Sequence, residues 1–397
     1  VKKAAIIAPN SLPVPPIRGG GIQNGIAEII HHYREYKPYV FSICEAGVDD
    51  LPLRESDGNA EHRRIRIPRF RDFMIRLTHL STRSYFPYVR EISGQLKEIN
   101  PDIIHVRSRP WFLPLLRRDL GNDVKMILHN HNNYFMEMGE RQVKKYLSLM
   151  DAFAGVSRFT VDAEVLSRFP EEKERCFVIY NGVNPEKFGP KGTDPARVAE
   201  LRKKYGIKKG DRVIAYLGRL RKSKGVDVLL NAVKSLRMPE VKLLLVGGHF
   251  FGGDETISPF MRELKSSAEE MKGSVIFTGF VPRSDIQNVY ALTDIVALPS
   301  LVQDASPNVC YEAQAMECPI VSTKRGGIPE IVEDGKTALL VDDPEDSKEL
   351  KEKLKCLLEN PGQMKAFGER GRKRMLEGFT WERAARRTEE MYNKVLG

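Results

Sequence analysis

Short apolar runs that alternate with stretches of helical period are what most limit the folds open to this chain. In the first half "AAIIAP", "YVFSIC", "DIIHV", "KMILH", "AFAGVS" and "CFVIYNG" follow one another, and in the second "RVIAYLG", "KLLLVGG", "SVIFTG", "DIVALPS", "PIVST" and "ALLV". Runs this short and this uniformly apolar read as strands buried on both faces, with amphipathic segments such as 224–237 and 344–358 as their covering helices. Such alternation builds parallel, doubly wound α/β sheets. Two sets of about six strands are too many for one compact sheet, and the series restarts near residue 212. We therefore expect two Rossmann-like domains facing one another, 1–190 and 191–378. The segment "NPEKFGPKGTDPARVAELRKKYGIKKGD" would supply the linker and the first polar cover of the second. In such folds a ligand sits beyond the carboxyl ends of the strands, here in an interdomain cleft.

The 397 residues suffice for two such domains, and 41% hydrophobic with 29% charged residues suits a soluble chain with sizeable cores. No apolar run approaches the ~18 residues of a membrane span, and the start "VKKAAIIAPNSLP" lacks a signal-peptide core of adequate length. The five cysteines, Cys44, Cys176, Cys310, Cys318 and Cys356, form no CxxC and leave one over in any pairing. A reduced, cytoplasmic compartment is the simplest expectation. The net charge of +10 favours an anionic partner. It is concentrated between Arg54 and Arg90, where nine arginines and four acids interleave with apolar residues. Two readings of that stretch stay open: a solvated face whose arginine stems cover a core, and a face laid on anionic lipid. No RNP, helix-turn-helix or KH pattern accompanies the charge, so no nucleic-acid partner is expected.

Candidate functional residues fall where strands end. In "DASPNVCYE" (304–312), Pro307 disfavours helical geometry at Ser306 and suits a first turn. The spacing thus predicts Asp304 on a loop, a helix beginning near Pro307 or Asn308, and Glu312 a turn inside it. The free N–H groups of that helix start suit a phosphate or an oxygen-rich ligand. "YLGRLRKSKGVDVLL" (216–230) places Arg219 and Lys224 around a strand-to-helix turn, as a diphosphate requires. The loop "PVPPIRGGGIQNGIAEII" lets the backbone of Gly19, Gly20 and Gly21 approach a ligand, although Asn24 breaks the dinucleotide fingerprint. "MILHNHNNYF" ends a strand with His129 and His131 on one side; a third metal ligand is missing, and His131 with two asparagines suits sugar hydroxyls better. Gly326 and Gly327 form another close-approach loop, and Gly182 in "NGV" is expected to take positive φ in a turn. Neither GxSxG nor a P-loop occurs, and no metal site is expected.

In this order, the glycine loop, the strand-end histidine, "YNGVNPEKF", "GRLRKSKG", "GFVPRSDIQNVYALTDIVALPS", the two-acid segment and "GGIPEIVEDG" resemble the retaining glycosyltransferases of family 4, or group 1. The resemblance implies a GT-B fold and transfer of a sugar from a nucleotide-diphosphate donor, a UDP-sugar above others, to a glycan or lipid-linked hydroxyl, with no obligatory cofactor. It gives Arg219 and Lys224 to the diphosphate, Glu312 to the ribose, and Asp304 with the backbone of Ser306, Pro307, Asn308 and Val309 to the donor. His131 would face the transferred sugar, Val281 to Arg283 would border the base, and Gly20 and Gly21 would line the ligand. The family's E-x7-E motif has Asp304 in place of its first glutamate, which shortens the reach by about 1.5 Å. The resemblance further implies that the helix 379–397 crosses back to the first domain through Trp381, Ala385, Met391, Tyr392 and Val395. A peripheral place at a membrane or in a spore coat is in keeping with it. A nucleotide-sugar epimerase and a non-catalytic glycan or spore-coat protein are the competing readings.

Overall fold

β1 (Lys2–Ile7) is enclosed from Ala4 onward, and its alternate residues face different cores: Ala5 and Ile7 one, Ala4 and Ile6 the other. This two-sided burial is why the strand reads as one continuous apolar run. The computed structural model describes residues 1–17, 19–45, 51–67, 85–248, 258–271 and 273–397. They pack as two units, Val1–Gly182 with Trp381–Gly397, and Val183–Thr380.

In the first unit β1 is joined by β2 (Tyr36–Glu45), β3 (Arg54–Asp57), β4 (Ala60–Ile67), β5 (Ile103–Arg107), β6 (Lys125–Asn130), β7 (Ala152–Gly155) and β8 (Cys176–Val178). The sheet order is β3-β4-β2-β1-β5-β6-β7-β8, parallel except for the antiparallel β3–β4 hairpin. Helices Phe86–Ile99 and Leu113–Leu120 contribute to one core, and Gly21–Ile29 and Trp381–Leu396 to the other. Trp381, Ala385, Met391 and Tyr392 are buried in that second core, with Val395 packed against it. Glu389 of the last helix holds the entry to β2, its Oε1 accepting from the backbone N–H of Arg34, Glu35 and Tyr36 at 2.9, 2.8 and 3.3 Å.

The β3–β4 hairpin departs from the sequence reading, which has no strands there. β4 interleaves arginines with apolar residues and so shows no apolar run. Its Arg64 turns inward, donating to the carbonyls of Val14 and Pro52 and pairing with Glu55 at 2.8 Å. A buried arginine satisfied by carbonyls is a structural residue, so this part of the basic stretch belongs to the sheet. Residues 68–84, on which the lipid-facing reading also rests, lie outside the described residues. A second correction concerns Gly182, which is absent from the positive-φ glycines: the backbone there makes no left-handed turn.

The second unit holds β9 (Arg212–Leu217), β10 (Val241–Val246), β11 (Val275–Gly279), β12 (Ile295–Leu298), β13 (Ile320–Thr323) and β14 (Ala338–Val341). They are all parallel, in the order β11-β10-β9-β12-β13-β14. The chain winds outward from β9 in one direction and from β12 in the other. A crevice therefore opens beyond the carboxyl ends of β9 and β12; in the first sheet the equivalent place is beyond β1 and β5. Among the described residues no helix is long and apolar enough to cross a membrane.

Candidate functional site

Both connections at the switch point of the second sheet carry candidate residues. After β9, Gly218 lies against Gly247, where a Cβ would stand 2.2 Å from the Gly218 carbonyl oxygen. The Tyr216 hydroxyl donates to the Arg219 carbonyl at 2.8 Å and fixes the turn that follows. Burial, and then the neighbouring Arg221, push the Arg219 guanidinium below its ordinary pKa, while the Asp304 carboxylate works against them. Lys224 closes the tight turn Lys222–Lys224, and Gly225 follows with φ 65° to start the helix Val226–Leu236. Only glycine fits there, because a Cβ would stand 2.0 Å from the Pro299 carbonyl oxygen.

That approach brings Lys224 to the loop after β12, where its Nζ pairs with Asp304 Oδ1. The other oxygen, Asp304 Oδ2, is buried and has no hydrogen-bond partner among the described residues. Gly326 and Gly327, after β13, hold the same loop: the Gly327 N–H donates to the Asp304 carbonyl at 2.8 Å, and the Gly326 N–H to Gln303 Oε1 at 2.6 Å. The helix begins where the spacing predicts, Asn308–Ala315 with Pro307 as its N-cap and Val309 in its first turn. Asp304 therefore stays on the loop. The Ser306 hydroxyl shares a 2.7 Å hydrogen bond with Tyr311.

Glu312, a turn inside the helix, is buried and doubly held: Arg283 donates to Oε1 and the Tyr290 hydroxyl to Oε2 at 2.9 Å. Arg283 also lies over the Phe188 ring, 5.0 Å from its centre. A carboxylate accepts about four hydrogen bonds, so each oxygen keeps room for one more donor, the pattern two adjacent hydroxyls need. Val281 packs, half-buried, against the core. The second unit thus gathers Arg219, Lys224 and Asp304 in one group and Arg283, Tyr290 and Glu312 in another.

The other candidates belong to the first unit. Gly20, with φ 109°, caps the helix Gly21–Ile29, and a Cβ on it would meet Leu12 Cδ1 at 2.7 Å. Arg18 lies outside the described residues. His131 follows β6, and its backbone N–H donates to the Ser108 hydroxyl at 2.7 Å. Ser108 itself has φ 50°, a strained value for a residue with a Cβ, and stitches the end of β5 to that of β6 through its N–H to His129 O at 2.9 Å. His129 is not a surface group: it is fully buried between Arg107 and His105, whereas His131 is half-buried.

The segment after His131 is anchored by Glu164, which lies in a π-helical turn, Asp162–Leu166. Asn130 donates to its Oε2 at 2.6 Å and the Met136 N–H to its Oε1 at 3.1 Å. Burial pushes its carboxyl up to about 7. The folded chain then holds a proton that the unfolded chain releases above its ordinary carboxylate pKa, so stability falls as pH rises through that window. Between pH ~4.5 and ~7 the loss should approach 3 kcal/mol, and Glu164→Gln should flatten it. Chemical denaturation across that range measures both, and equal slopes in the two proteins would refute the assignment.

Sequence reasoning missed Arg283 as the partner of Glu312, and with it Tyr290, His105 and Arg107. The last two did leave a signal, a polar pair two residues apart in the buried run "DIIHVR" matching the pair in "MILHNH". Among the described residues no three His, Cys, Asp or Glu side chains converge to hold a metal.

Residues 198–374 match the family model described as glycosyl transferases group 1, and residues 19–187 that of glycosyltransferase family 4. Spore coat protein SA of Bacillus subtilis is 28% identical over 99% of this chain and 99% of its own. A GDP-mannose-dependent alpha-(1-6)-phosphatidylinositol monomannoside mannosyltransferase of Mycolicibacterium smegmatis is 32% identical, over 70% of this chain and 72% of its own. Among solved structures, an Anabaena protein in complex with UDP and glucose superposes with a TM-score of 0.76 at 20% identity, covering 98% of this chain and 99% of that one.

Proposed function

We propose, for a chain that belongs to the group 1 glycosyltransferases and has their GT-B fold, that it moves a sugar with retention from a UDP-sugar to a hydroxyl of a glycan or lipid-linked acceptor. The observation that carries the reading is the switch-point edge of the second sheet. There two cations, the start of a helix and a doubly held buried carboxylate stand on neighbouring connections. Breaking a glycosyl–phosphate bond leaves negative charge on a diphosphate, and preset cations and N–H groups stabilise that charge as it develops. Arg219 and Lys224 supply the cations, and the backbone of 306–309 supplies the N–H groups. Glu312 keeps one acceptor position on each oxygen for the two ribose hydroxyls.

When the diphosphate takes the Lys224 charge, Asp304 is released towards the sugar, where its unpartnered Oδ2 accepts from a hydroxyl. The leaving phosphate oxygen takes the acceptor proton, so the same face of the anomeric carbon loses one oxygen and gains the other. No carboxylate nucleophile is needed. The lipid-linked alternative for the acceptor is in keeping with the relative named for a phosphatidylinositol mannoside, and a spore-coat setting with the relative named as a coat protein.

UDP is expected to raise the thermal midpoint most among UDP, GDP and ADP. A ligand at 100 times its dissociation constant adds ~2.7 kcal/mol. Lys224→Ala should remove most of that rise. A larger rise with GDP would keep the transferase reading and replace the donor, as the name of the Mycolicibacterium relative makes worth testing. No rise with any of them at millimolar concentration would end it.

A further inference from the structure

Four polar side chains meet on one face of the first sheet, beside the reacting end assigned to His131. β5 and β6 are in parallel register with Arg107 opposite His129. Residues two apart share a face, so His105 joins Arg107, and His131 joins His129. The rings stack in a row, with centroids 5.3 Å apart between His105 and His129 and 4.6 Å between His129 and His131.

The hydrogen-bond directions in this row are fixed by one residue. A guanidinium has five N–H donors and no acceptor. Arg107 Nη1 lies 2.8 Å from His129 Nδ1 and 3.1 Å from His131 Nε2, so both ring nitrogens must present lone pairs. A neutral imidazole with its lone pair on Nε2 carries its proton on Nδ1. The same logic runs on: the one lone pair of His129 Nδ1 is shared between Arg107 Nη1 at 2.8 Å and the His105 Nε2–H at 3.2 Å, and His105 Nδ1 accepts from the Tyr392 hydroxyl at 2.6 Å. His131 Nδ1 is left without a hydrogen-bond partner among the described residues.

Arg107 is 3% exposed and makes no ion pair among the described residues. A buried cation held by neutral rings is an expensive way to stabilise a sheet. Its position therefore asks for a functional reason.

We propose that Arg107 is a positioning residue that locks His131 as the neutral tautomer protonated at Nδ1, so that the ring presents an N–H, and not a lone pair, to an oxygen of the transferred sugar. This rests on the proposed sugar transfer and on the family resemblance, which sets His131 against the transferred sugar. The groups facing the His131 ring are Arg107 from β5 and His129 from its own strand, with His105 one ring further. Burial, and then the Arg107 charge, hold all three histidines well below the ordinary imidazole pKa.

Nitrogen NMR of the full chain labelled at histidine tests this. In the wild type the His131 signals should report a proton on Nδ1 and stay constant from pH 5 to 8. In Arg107→Met they should become those of mixed tautomers, and the ring should titrate within that range. Arg107→Met should keep the UDP-induced rise in midpoint, since the diphosphate residues belong to the other unit. A wild-type His131 protonated on Nε2, or titrating, overturns the proposal even if Arg107→Met fails to fold. So does an Arg107→Met spectrum identical to the wild type. A wild type that shows the Nδ1 tautomer but ignores all three nucleoside diphosphates defeats the transferase reading alone.

Discussion

Gly326→Ala should cost about 3 kcal/mol of stability and abolish sugar transfer, although it adds only one methyl group. Two effects add. At φ 59° the added Cβ meets the left-handed penalty, and it would stand 2.1 Å from the Asp304 carbonyl oxygen. The methyl cannot be absorbed by a side-chain rotation, because what it strikes is backbone. The loop carrying Asp304 must retreat, breaking the Gly327 N–H bond to that carbonyl and the Lys224 ion pair together. Gly335→Ala is the control. It has φ 73° with nothing within 4 Å of its would-be Cβ, so it should cost only the conformational term, about 1 kcal/mol, and leave transfer intact. Urea unfolding of the two variants reads the difference. Equal losses would mean that the loop gives way easily and that Asp304 is not held where it matters.

Glu312→Ala should weaken UDP binding ~100-fold or more, since hydrogen bonds to a charged acceptor contribute ~1.5–3 kcal/mol each and two would be lost. The protein also loses stability. Tyr290 is buried and its hydroxyl would be left without its acceptor, and Arg283 would lose its carboxylate. With Arg283 nearly a third exposed, water softens that loss, and about 2 kcal/mol is expected. Glu312→Gln separates the two roles, because an amide oxygen can still accept from Tyr290 while the charge proposed to hold the ribose is gone. It should be closer to the wild type in stability than in UDP affinity, measured by calorimetry. UDP affinity unchanged in both variants would remove Glu312 from the nucleotide site.

The strands that the sequence shows plainly are mostly those buried on both faces, where apolar residues predominate and period and burial agree. β4 escapes notice for the opposite reason. Its Arg64 is satisfied by carbonyl oxygens of Val14 and Pro52 that only the folded loops supply, a contact no local pattern announces. The start of the helix at Asn308 is legible because proline restricts its neighbour whatever the surroundings. By contrast, the Glu312–Arg283 pair spans 29 positions and depends on how two connections lie across one sheet edge. The histidine row fails to show for a subtler reason. Each strand displays its own pair, but the register that sets Arg107 opposite His129 is a property of the sheet. Gly182 was misjudged because a glycine before a linker suggests a left-handed turn that the backbone there does not make.

The helix that brings Tyr392 to His105 and Glu389 to the entry of β2 comes from residues 381–396, while the strands it completes lie within the first 182. During synthesis the first unit therefore waits with one core uncovered until nearly 200 further residues, the whole of the second unit (183–380), have been made. Folding in order of emergence, the usual rule for successive domains, is inverted here: the second unit can finish first. A nascent chain stalled before residue 381 should then resist protease over 183–380 while the β1–β2 region is still cleaved, and extension past Tyr392 should close that window.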